Sequence, residues 1–89
     1  MTERIDALVA ALTAAGVNPQ HITTKPLWAP AITVRSGRRV AEIVPDPSTR
    51  AVSVFTWTDP GDGTYPLDMR HREMQQLAAI ARRVKEWTS

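Results

Sequence analysis

The tripeptide Ser36-Gly37-Arg38 interrupts a β-rich stretch from Ala31 to Val44, and it constrains this chain more than any other segment. A two-residue loop with glycine first, Gly37-Arg38, suits a type II′ turn, whose first central position needs φ > 0. A hairpin centred there pairs Ser36 with Arg39, Arg35 with Val40, Val34 with Ala41, Thr33 with Glu42 and Ile32 with Ile43. Side chains alternate across a strand, so one face collects Ile32, Val34, Ala41 and Ile43, and the other Thr33, Arg35, Val40, Glu42 and Val44. The first face is a core.

Val44-Pro45-Asp46-Pro47-Ser48-Thr49-Arg50 is turn chemistry, and Ala51 to Thr58 predicts a third strand. Set antiparallel with Val44 opposite Ala51, it brings Val52 to Ile43 and Val54 to Ala41, which extends the core face. Ser53, Phe55 and Trp57 then join Arg35, Val40 and Glu42 on the other side. Turn chemistry, alternation and face composition agree on one pattern.

Thr2 to Ala15 reads as a helix, with Thr2 as N-cap, Glu3 in the first turn and Gly16 just past its end. Ile5, Leu8, Val9, Leu12 and Ala15 form its apolar stripe. Val17 to Pro30 is a proline-rich connector in which His21 to Thr24 suits a short edge strand; Trp28 there reads as a lid over one end of the core, against a binding role. Asp59 to Thr64 is a loop. A second helix is expected from about 67 to 87, opened by Pro66 or Asp68, with Glu73, Leu77, Ile80, Val84 and Trp87 at helical spacing. The expected fold is α+β in the order α-β-β-β-α, a single small domain over 1–89. Its three-stranded antiparallel sheet carries both helices on one face, so that Leu8, Leu12, Leu77, Ile80 and Val84 cover Ile32, Val34, Ala41, Ile43, Val52 and Val54.

A chain of 89 residues buries little more than about 60% of its unfolded surface, a thin stability margin that favours a partner. With no cysteine, disulfides, thiolate chemistry and cysteine-ligated zinc are out, and a reducing compartment fits. No apolar run approaches the ~20 residues of a membrane span, and acidic residues break the first twelve where a signal peptide would be apolar, so the chain reads as cytoplasmic. Nine of the eleven basic residues are arginine, which a GC-rich genome produces without any role in phosphate recognition. That usage fits an actinobacterial phage or mobile-element accessory protein. The net charge of +2 is too small to imply nucleic acid by itself.

Catalytic chemistry has little to work with. His21 and His71 are the only histidines, and neither stands at a motif spacing from a serine or carboxylate. Asp59, Asp62 and Asp68 fail the spacing of a calcium loop and lack its bidentate glutamate, and Gly61-x-Gly63 lacks a third glycine. No enzyme activity, cofactor, metal or small-molecule substrate is expected. Arg70-His71-Arg72 falls at the start of the expected second helix, where the dipole disfavours cations. It reads either as an anion site with the helix N–H groups or as a cluster neutralised by Asp68, Glu73 and solvent.

The α-β-β-β-α layout, the Gly-Arg hairpin loop, the Gly-x-Gly loop before the last helix and the basic residues at that helix's start resemble the double-stranded-RNA-binding domain. The resemblance covers topology; the hairpin loop lacks Gly-Pro-x-His and the last helix lacks the Lys-Lys-x-Ala-Lys run. It implies that Arg38, Arg39, Arg70 and Arg72 contact phosphate. The other reading rests on Thr33, Arg35, Val40, Glu42, Phe55 and Trp57, which form either an interface core of aromatic-plus-arginine composition or a face that Trp28 and the proline-rich segment fold over. On the interface reading the chain is a non-enzymatic module that binds a protein partner or itself as a homodimer.

Overall fold

Gly37 adopts φ +61°, and no non-glycine residue has a positive φ among the described residues, so Gly37-Arg38 forms the type II′ turn its order demands. The computed structural model describes residues 2–25 and 30–89, the side chain of Thr2 excepted. The Trp28 lid therefore lies outside the described residues, as does the side chain of the expected Thr2 cap. Helix α1 (Thr2–Ala14) leads through a 3₁₀ turn (Pro19–His21) into β1 (Ile22–Lys25), β2 (Ala31–Ser36), β3 (Arg39–Pro45), β4 (Val52–Thr58) and β5 (Arg70–Met74), and α2 (Leu77–Thr88) follows. The α+β class stands, but the sheet has five antiparallel strands in the order β1-β2-β3-β4-β5, not three.

The β2–β3 register matches the expected pairing at every position from Ile32↔Ile43 to Ser36↔Arg39. The β3–β4 register differs by two residues: Ile43 faces Val54 and Ala41 faces Thr56. The cause lies in the turn. Pro45 is the last residue of β3, paired with Val52, and the reversal is made by Asp46 to Ala51, closed by Asp46 N–H to Ala51 O at 3.0 Å. Asp46 Oδ1 accepts from Ser48 N–H at 2.8 Å and Thr49 Oγ1 accepts from Ala51 N–H at 3.1 Å. An even shift leaves every side chain on its expected face.

The larger correction concerns residues 67–76. Arg70 to Met74 is an extended edge strand paired with β4, and helix α2 begins only at Leu77. Asp68 does not cap a helix; its carboxylate accepts from Thr58 N–H at 2.9 and 3.2 Å and ties the incoming chain to the end of β4. Glu73, expected on a buried helix stripe, is exposed on β5, and Leu77 is 41% exposed at the first turn of α2. The stripe that is buried consists of Ile80, Ala81, Val84 and Thr88.

Both helices lie on one face of the sheet, α1 against β2 and α2 across β2, β3 and β4. Leu8, Leu12, Ile80, Ala81 and Val84 close over Ile32, Val34, Ala41, Ile43, Val52 and Val54 in one buried cluster. Helix α1 ends in a Schellman arrangement: Gly16 at φ +96° donates to Thr13 O, and Val17 donates to Leu12 O, each at 3.0 Å. This turn buries Val17 beside Leu12. At the other end of α1, Arg4 donates to Asp46 O at 2.6 Å and Ala51 O at 3.1 Å, and so clamps the helix to the β3–β4 turn.

Candidate interaction surface

The strand registers sort the helix-free face into cross-strand rows. One row reads Thr23, Thr33, Glu42, Phe55, His71 and the next Arg35, Val40, Trp57. All six residues expected at a partner surface therefore share this face, although they do not present themselves equally. Val40 is fully buried at 0% exposure between Arg35 and Trp57, so, contrary to expectation, its side chain is not open to a partner. Thr33, Glu42, Phe55 and Trp57 are partly buried, and Arg35 is exposed. Thr33 Oγ1 is buried without a hydrogen-bond partner.

Phe55 stacks on His71, with ring centroids 4.6 Å apart and planes 13° from parallel. This pairing exists because His71 belongs to a strand; the helical reading of 67–87 hid it. Two ion pairs flank the aromatic centre. Arg35 Nη1 lies 2.8 Å from Asp59 Oδ2 on one side, and Lys25 Nζ lies 3.7 Å from Glu42 Oε2 on the other. The hydrogen bond from Arg35, with a second from Gly61 N–H, holds the Asp59 carboxyl below its ordinary value.

The remaining aspartates of the loop have separate local partners. Asp62 accepts from Thr64 Oγ1 and N–H, and Asp68 accepts from Thr58 N–H; each is held below its ordinary value by those bonds. Three carboxylates thus turn to three different neighbours instead of converging.

The four arginines implied by the RNA-binding resemblance are divided. Arg38 lies against Gly61 of the β4–β5 loop, its guanidinium 3.7 Å from where a Cβ would stand. Arg39 sits 4.8 Å over the Trp87 ring and donates to Trp87 O at 3.3 Å, a cation at the C-terminal end of α2. Arg70 and Arg72 lie on β5, where no helix dipole acts on them as the helical reading supposed. Arg70 lines the same cleft as Asp68, and the charge of Arg39 favours the ionised Asp68 carboxyl.

A cleft of about 360 Å³ opens between β5 and α2, lined by Thr56, Asp68, Arg70, Arg83, Glu86 and Trp87. Trp87 is fixed at its edge, since its indole N–H donates to Val40 O at 2.9 Å and Trp57 O at 3.3 Å. Compared with protein-family models, curated proteins and solved structures, the chain matches none. No helix among the described residues is long and apolar enough to cross a membrane.

Proposed function

We propose that this chain is a non-enzymatic interaction module that binds a protein partner or a second copy of itself through the helix-free face of its sheet. The observation that carries this reading is the position of Phe55 and Trp57. They stand on adjacent rows opposite both helices, each only partly buried, and their centre is bracketed by Arg35 and Glu42. Phe55 and Trp57 each keep part of their surface in water, and aromatics with arginine are the residue types that concentrate binding energy. Ion pairs at the border supply orientation more than affinity.

Trp57→Ala tests the reading. The expected variant keeps the circular dichroism of the wild type, because Trp57 points away from the helices, but loses self-association in light scattering or nuclease-resistant protein capture from lysate. Capture that disappears on nuclease treatment would favour nucleic acid instead. A variant that folds and associates like the wild type would remove the proposal.

A further inference from the structure

Strand β5 is the open edge of the sheet: it pairs with β4 alone, and Arg70 to Glu73 are exposed. An edge strand offers unpaired N–H and C=O groups on its outer side and templates another strand unless something forbids it. What this edge forbids and permits is written in its charges. On the helix side two cross-strand rows run through buried residues and end in arginine: Val34, Ala41, Thr56, Arg70 and Ile32, Ile43, Val54, Arg72. Arg83 of α2 faces the same cleft as Arg70, and its Nε is buried without a hydrogen-bond partner.

Among the described residues there are two ion pairs, Lys25–Glu42 and Arg35–Asp59, and neither involves Arg70, Arg72 or Arg83. The opposite edge differs. Strand β1 carries one charge, Lys25, and Glu42 already neutralises it. A second copy of this chain is a poor occupant for β5, because the full-overlap antiparallel register would set Arg72 directly opposite its own counterpart.

We infer that β5 accepts an extended acidic segment of a protein partner as a sixth strand. Carboxylates on alternate residues of that segment face Arg70 and Arg72 on the helix side. The main-chain ladder supplies affinity, and the two arginines select acidic over neutral or basic strands and reject self-pairing. The cleft beside Arg70 and Arg83 is also lined by Asp68 and Glu86, so the selecting charge is that of Arg70 and Arg72 on the strand itself. This surface is separate from the helix-free face, so either reading stands without the other.

The probe is a short fluorescent peptide that alternates glutamate with threonine. Its controls are a lysine counterpart and a glutamate peptide N-methylated on alternate amides, which cannot form the ladder. Fluorescence anisotropy at low salt should show binding of the first peptide alone, and hydrogen exchange should slow across Arg70–Met74. The Arg70→Glu/Arg72→Glu variant should lose about tenfold in affinity or more and turn its preference to the lysine peptide. Arg70→Gln/Arg72→Gln, which adds no new charge, should weaken the glutamate peptide if the reversal variant fails to fold. Arg50→Glu, outside β5 in the β3–β4 turn, should bind as the wild type does. Equal binding of glutamate and lysine peptides, undiminished binding of the N-methylated peptide, protection outside β5, or displacement of the peptide by duplex RNA would each overturn the inference, as would no binding at low salt.

Discussion

Asp59 shows how much of the patch depends on single polar contacts. Its carboxylate accepts from Arg35 and from Gly61 N–H, and both bonds favour the ionised form. A folded pKa below the unfolded value means that the contribution to stability is present above about pH 3.8 and is lost as pH falls through that value toward the folded one. Asp59→Asn should therefore make the acid-induced loss of stability shallower, read as urea midpoints across that pH range. An unchanged acid limb would mean that solvent screens the pair completely, as it does for many exposed ion pairs.

At the scale of elements, α2 separates what spacing reveals from what it hides. Glu73, Leu77, Ile80, Val84 and Trp87 follow a helical period, yet the helix starts at Leu77 and the first of them lies on a strand. Ile80→Ala should cost about 2–5 kcal/mol as a buried truncation, whereas Leu77→Ala, at a position 41% exposed, should cost less than half as much. Equal losses in denaturant titrations would restore Leu77 to the core. Strand β5 was illegible for a physical reason. Arg-His-Arg-Glu-Met has no apolar alternation and low strand propensity, and its conformation comes from backbone pairing to Val52–Thr56. The central hairpin was legible because its glycine, its turn length and its two faces all carry the same information in adjacent residues. The β3–β4 turn was legible in kind but not in length, since Pro45 reads as turn chemistry while standing at a strand end, where a missing N–H is tolerated.

For the whole molecule, five strands with both helices on one face leave the other face to carry Phe55, Trp57 and His71. The parity of the registers assigned Phe55 and Trp57 to that face from the sequence, whereas His71 joined them only through β5. The same wide sheet places the arginine-edged strand beyond the three strands that α2 spans, so face and edge are distinct surfaces of one meander. Trp57 on this face and Trp87 on α2 allow the binding surface to be located within one sample. Fluorine NMR of the chain labelled with 5-fluorotryptophan, its Trp57 and Trp87 resonances assigned among the three tryptophans through Trp57→Phe and Trp87→Phe, should show the Trp57 signal moving as the chain self-associates or a captured protein partner is added. The Trp87 signal, with its indole N–H held by Val40 O and Trp57 O on the helix side, should stay nearly in place. A Trp57 signal that stays fixed through association, while Trp87 shifts, would contradict the account and place the interface on the helical side of the sheet.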